Sequence, residues 1–196
     1  FRTKTKMILP IRAYGDTVLR KKAHDISSDY PELKELIDNM FETMNAAHGI
    51  GLAAPQIGLD IRLFIVDVTP LADDEDYEDI ADELKDFKKV FINARILEES
   101  GNEWKFNEGC LSIPDVREDV SRKETILIEY FDENFVKHTE TFSDIRARVI
   151  QHEYDHIEGV LFTDKLSPLK KKIIKGKLTK ITSGDIHVGY KMRFPK

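Results

Sequence analysis

Residues 151–156 read Gln-His-Glu-Tyr-Asp-His, so two histidines flank a glutamate in an H-E-x-x-H pattern. On a helix, His152 and His156 stand one turn apart on the same face and can chelate one metal ion. Glu153 projects part of a turn away, close enough to take a proton from a water on that ion. Ser143 or Asp144 can cap the start of such a helix and Gly159 can end it. Ile145, Val149, His152 and His156 share one stripe, which turns the imidazoles inward with the apolar residues. The same spacing also suits two core histidines that merely hydrogen-bond, so the motif needs a third ligand before it means catalysis.

A catalytic zinc-type site has three protein ligands and one open position. The metzincin pattern would place a third His at 162, where the chain has Phe162. The thermolysin-like pattern uses a downstream Glu, and after Glu158 the chain contains only Asp164 and Asp185 as acids. An upstream ligand is the remaining option. The best candidate is the sole cysteine, Cys110, in Glu108-Gly109-Cys110-Leu111-Ser112. Taken alone, a single Cys reads more readily as a small buried hydrophobe.

Three segments together settle the comparison. Gly49-Ile50-Gly51-Leu52-Ala53-Ala54-Pro55-Gln56, then Glu108 to Ser112, then Gln151 to His156, resemble the three signature motifs of the peptide deformylases, in order and at plausible spacing. The resemblance runs from about residue 7 to 170 and includes Ile8-Leu9-Pro10 and Tyr14-Gly15-Asp16 to Leu19-Arg20; Thr17 stands where the family often has Pro. It implies a hydrolase that removes the formyl group from the N-terminal formyl-methionine of nascent peptides and releases formate. It implies one divalent metal per chain on Cys110, His152 and His156, with Fe(II) native and Zn, Ni or Co able to replace it. Glu153 would carry the proton, while Gln56 and the Leu111 N–H would hold the reacting oxygen. Gly51 and the segment around Ile50 would pair with the substrate backbone, Gly49 would let backbone approach the ligand closely, and Ile50, Arg148 and Val149 would help wall the methionine pocket. Arg148 reads equally as a surface ion-pair residue. Two rival functions are a metallo-endopeptidase, which lacks its third ligand here, and a non-catalytic metal module, which would need a fourth, from Glu108 or Asp155.

The elements around these motifs read as an α+β fold, antiparallel sheets packed around a central metal-binding helix, in a single catalytic domain over residues 7–196. Leu33, Leu36, Ile37, Met40, Phe41 and Met44 recur at helical spacing within Pro31 to Ala47, with Ser28 or Asp29 as a cap. Ile61 to Val68 and Val90 to Leu97 read as strands, Glu98 to Asn102 as a turn, and Ile113-Pro114 as the end of the segment that carries the Cys110 motif. Thr125 to Phe131 and Phe135 to Phe142 read as a hairpin around Asp132-Glu133-Asn134. Leu71 to Asp86 holds nine Asp or Glu and one Lys, and reads as a solvated acidic insertion loop with a short helix at Ile80 to Leu84. Pro168 to Ile181 reads as a helix with six lysines from Lys170 to Lys180, a surface suited to ribosomal phosphate; His187 to Phe194 reads as a closing strand.

Composition is consistent with this reading. The chain has 196 residues, a hydrophobic fraction of 41%, a charged fraction of 34% and a net charge of −6. That charge disfavours sequence-specific nucleic-acid binding. No run of about 18 apolar residues is present to span a membrane, and one Cys suits a reducing, cytoplasmic setting of bacterial type. Phe1 to Lys6, short and basic ahead of Met7, reads as an added remnant and not as a secretory signal.

Overall fold

The nearly continuous apolar stretch Ile61 to Val68 becomes the strand on which the rest is layered. In the computed structural model, which describes residues 6–196, strand β3 (Leu63–Asp67) is buried along its whole length. Leu63 and Ile65 face one apolar cluster with helix α1 (Leu33–Ala46), whose Ile37, Met40, Phe41 and Met44 complete it. Phe64 and Val66 face the opposite cluster, with Ile145, Val149, Ile150 and Ile157 of helix α3 (Asp144–Ile157). A strand covered on both faces carries no polar alternation, which explains its continuous apolar run. Phe64 stacks on Phe91 with ring centroids 4.8 Å apart.

The sheet has five antiparallel strands in the order β2-β3-β4-β5-β6, where β2 is Gly51–Ala53, β4 Lys88–Cys110, β5 Ile113–Phe131 and β6 Lys137–Ser143. The α+β reading therefore holds, with α3 packed on the sheet. A separate two-residue pair, β1 (Ile11–Arg12) with β7 (Met192–Arg193), is parallel. It is all that forms of the expected strand from His187 to Phe194.

Three local expectations are corrected. No turn forms at Glu98 to Asn102. The chain runs on as one 23-residue strand, with Gly101 at φ 79 beside a register shift; a bulge and a turn draw on the same residue types, and only the partner strand separates them. Ile113-Pro114 begins β5 instead of ending a segment. Neither Ser28 nor Asp29 caps α1: Glu32 precedes it in the left-handed region, at φ 54.

The acidic insertion is structured. Two 3-10 segments, Thr69–Asp73 and Glu75–Ile80, lead into the short helix α2 (Ala81–Leu84). Leu84 is fully buried, and Leu71, Tyr77 and Ile80 pack against the α3 cluster. Its few apolar residues were outweighed in composition by charge, yet they anchor it. The lysine-rich segment forms helix α4 (Pro168–Ser183), with the Ser167 hydroxyl accepting from the Lys170 N–H and Gly184 left-handed at its end. Ile174 and Ile181 dock it onto a third cluster that includes Ile113, Val120 and Phe162. The basic run ahead of Met7 falls, but for Lys6, on residues 1–5, outside the described residues. Among the described residues, no helix is long and apolar enough to cross a membrane.

Candidate active site

Helix α3 sets the geometry. Of its two candidate caps, Asp144 acts: its carboxylate accepts from the Arg146 N–H at 3.0 Å, whereas the Ser143 hydroxyl pairs with Thr125. The helix ends where Gly159 turns left-handed at φ 74. A Cβ there would sit 2.6 Å from the Arg20 carbonyl oxygen, so Gly is required on two counts.

One turn apart on this helix, the His152 and His156 rings lie 5.2 Å between centroids. The β4–β5 hairpin brings Cys110 to them, with its Sγ 3.3 Å from His156 Nε2. The ligating atoms of Cys110, His152 and His156 all lie within 4.8 Å of one another. With bonds of about 2.0–2.3 Å, the edges of a tetrahedral site are about 3.5 Å. The three donors therefore fit one divalent ion with little movement, and thiolate with imidazole suits Fe(II) or Zn.

The orientation of His152 is fixed from behind. Its Nδ1 lies 2.9 Å from Glu108 Oε2. Glu108 is almost fully buried and also accepts from Arg122 Nε at 2.7 Å, Arg122 Nη2 at 3.0 Å and Arg148 Nη1 at 3.1 Å. Burial alone would raise this carboxyl, but the hydrogen bonds from His152 and Arg122 outweigh it and hold it well below the usual carboxylate range. An ionised Glu108 requires Nδ1 to be the protonated nitrogen, which leaves Nε2 as the donor toward the site. Arg122 is tied in turn to Asp155 at 2.7 Å. Burial keeps His156 well below its ordinary value and so neutral, as a ligand must be.

Beside the donors lies a cavity of about 540 Å³. Glu153 lines it and is 4% exposed, and its Oε2 has no hydrogen-bond partner within the protein. Burial pushes its carboxyl up to about 7, the range in which a carboxylate exchanges protons readily at neutral pH. Gly51 packs close against it: a Cβ at 51 would lie 2.8 Å from Glu153 Cγ and Cδ. Gln56 is buried, with Oε1 accepting from the Ala53 N–H at 2.9 Å and Nε2 directed at Ser112 Oγ (3.1 Å) and Cys110 Sγ (3.4 Å).

The residues singled out from sequence come together here. Gly49, Ile50, Gly51, Gln56, Cys110, Leu111, Arg148, Val149, His152 and Glu153 all line the cavity, and His156 closes the donor set behind it. Arg148 is no surface ion-pair residue. It is 1% exposed, bonds Glu108 and the carbonyls of Val120 (2.8 Å) and Trp104 (2.6 Å), and lies 4.4 Å from the Trp104 ring. Sequence reasoning passed over Glu108 as a site residue, although it opens the Cys110 motif. It also passed over Arg122, which carries no local signal, and the segment His187 to Tyr190, which lines the cavity from the far end of the chain. Tyr190 donates its hydroxyl to the Leu111 carbonyl at 2.6 Å.

Residues 8–172 match the family described as Polypeptide deformylase. The chain is 64% identical over 190 residues to a peptide deformylase of Christiangramia forsetii, covering 96% of this chain and 97% of that one. It is 62% identical over 189 residues to a peptide deformylase of Flavobacterium johnsoniae, covering 96% of each. Among solved structures, a Legionella pneumophila peptide deformylase superposes with a TM-score of 0.77 at 36% identity, covering 91% of this chain and 98% of that chain.

Proposed function

The chain belongs to the polypeptide deformylase family, and from that premise we propose how its own residues divide the work of removing the formyl group from the N-terminus of new peptides. One observation carries the assignment of roles: three donor atoms converge at the wall of a cavity beside a buried carboxylate whose Oε2 has no partner within the protein. Cys110, His152 and His156 hold one divalent ion, Fe(II) in the native enzyme, with Zn, Ni or Co able to take its place. When bound, that ion supplies Lewis acidity at the formyl group and makes water nucleophilic at neutral pH.

The protein supplies the rest. Glu153 accepts the proton of the attacking water at its carboxylate and delivers it to the departing amine, so that formate and a free amino terminus result. Negative charge builds on the formyl oxygen. Gln56 Nε2 and the Leu111 N–H are the donors that meet it, and such a donor is worth about 100 to 1,000-fold in rate. Strand β2 is an edge of the sheet, so Gly51 can add the substrate backbone as a further strand. Gly49, Ile50 and Val149 wall the methionine side chain. Arg148, locked by Glu108, contributes as a rigid support.

The two rival readings lose their residues. A metal-only module would need Glu108 or Asp155 as a fourth ligand, and these are engaged by His152 and Arg122 and by Arg122 respectively. An endopeptidase of the thermolysin type would need a Glu further downstream, and none follows Glu158 in the chain. Residues 7–196 act as one catalytic unit in the cytoplasm. The exposed lysines of α4 make a salt-sensitive approach to ribosomal phosphate.

The test is metal content measured together with formate release from a formyl-methionyl peptide. Cys110→Ala should lose its metal to modest chelator and its turnover with it. A Cys110→Ala protein that keeps one equivalent of metal and full activity would overturn the three-donor reading.

A further inference from the structure

A strand pair that reverses in two residues favours left-handed loop residues, because only those twist with the strands. The loop between β4 and β5 is Leu111-Ser112, with Cys110 opposite Ile113. Neither residue has a positive φ. A register shift between Gly109 and Cys110 adds to the irregularity. The loop's own chemistry therefore does not set its shape, yet it carries both the Cys110 donor and the Leu111 N–H.

The loop is tied from outside at three points. Gln56 Nε2 donates to Ser112 Oγ at 3.1 Å, the Tyr14 N–H donates to the Ser112 carbonyl at 2.8 Å, and the Tyr190 hydroxyl donates to the Leu111 carbonyl at 2.6 Å. The last two ties share one origin. Strand β1 ends two residues before Tyr14, and β7 begins two residues after Tyr190. The β1–β7 pair is closed by Ile11 N–H to the Lys191 carbonyl and Ala13 N–H to the Arg193 carbonyl, each 2.9 Å. That small parallel ladder, which joins the two ends of the chain, thus grips both carbonyls of the loop.

We propose that Tyr190 is a positioning residue of the oxyanion site: by holding the Leu111 carbonyl, which lies in the next peptide plane, it limits rotation about the two backbone bonds of the Leu111 Cα and so restrains the Leu111 N–H, and the C-terminal tail is thereby a working part of the active site. The inference rests on the reading of the Leu111 N–H as a donor to the reacting oxygen. A donor that must meet charge developing only in the transition state loses rate, and not substrate affinity, when it is loosened.

The experiment is Tyr190→Phe in the full-length, metal-loaded enzyme, which keeps the ring and removes only the hydroxyl. On a formyl-methionyl peptide, kcat should fall about tenfold with KM within about twofold, a smaller loss than deleting a donor outright. In the same variant, hydrogen exchange at the Leu111 and Ser112 amides should quicken, while the β5–β6 amides stay as protected as before and the melting temperature holds. Unchanged kcat would overturn the proposal, even with faster exchange at the loop. So would a loss shared equally by KM and stability, which would make Tyr190 a packing residue only. Failure of the underlying reading is distinct: replacing the Cys110–Leu111 amide by an ester, which removes only the Leu111 N–H, with undiminished kcat would remove that donor assignment itself, whatever Tyr190 does.

Discussion

Glu108 Oε2 and His152 Nδ1 lie 2.9 Å apart, joining strand β4 to helix α3. The carboxylate that orients this ring is itself held by two arginines that are almost entirely buried. Glu108→Gln should weaken metal binding by about 10 to 100-fold, because the ring loses its fixed tautomer and orientation. The same change leaves the buried Arg148 without its carboxylate and Arg122 with Asp155 alone, which costs roughly 3 kcal/mol or more of stability. Competition with a chelator and urea unfolding read the two effects separately. Metal affinity equal to the native protein's would remove Glu108 from the site.

Gly51→Ala places a methyl against Glu153. The added Cβ would lie 2.8 Å from Glu153 Cγ and Cδ, and Glu153 is buried with little room to retreat. Displacing the proton acceptor by about 1 Å should lower turnover about 100-fold. Metal content should not change, since no donor atom moves. A Gly51→Ala enzyme of native activity would show that Glu153 does not depend on this close approach.

The acidic insertion should prove to be structural. Leu84 is fully buried against the α3 cluster, so Leu84→Ala should cost about 2–5 kcal/mol of folding stability. Turnover of the folded fraction should be unaffected, because residues 71–86 do not line the cavity. Thermal unfolding and formate release at low temperature check both halves. A change below about 0.5 kcal/mol would restore the picture of a loop that merely rests on the surface.

Acid should erase one identifiable contribution. Glu158 Oε1 lies 2.7 Å from Arg62 Nη2, whose side chain is 1% exposed. Burial acts to raise the Glu158 carboxyl, but the hydrogen bond and charge of Arg62, helped by Lys22, bring it below its ordinary value. A depressed carboxylate stabilises the fold above its unfolded pKa, about 4.3, and that stabilisation disappears as pH falls through the folded value. Glu158→Gln should therefore be less stable than the native chain by about 1 kcal/mol at pH 7, after screening of the partly exposed carboxylate. The gap should close below about pH 4. A gap that persists at lower pH would assign the effect to packing.

What could be read from the chain, and what could not, follows from the range of each signal. His152, Glu153 and His156 are legible because one helical turn places them together. Cys110 and Gln56 are legible only through short motifs whose residues sit in consecutive positions. Glu108 was in plain view beside Cys110, but its role depends on Arg122 and Arg148, which lie 14 and 40 residues away and give no periodic sign. Gly101 looked like a turn because a bulge uses the same residue. Leu84 was hidden by the charges around it. Tyr190 reaches Leu111 across 79 residues of sequence, through a two-residue ladder too short to predict.

The central claim is that Glu153 moves the proton while Cys110, His152 and His156 hold the metal. Glu153→Ala, assayed for metal content and for formate released from a formyl-methionyl peptide, separates the two roles in one preparation. One equivalent of metal should remain, with turnover reduced by at least about 100-fold. Loss of the metal, or formate release at the native rate, would contradict the account.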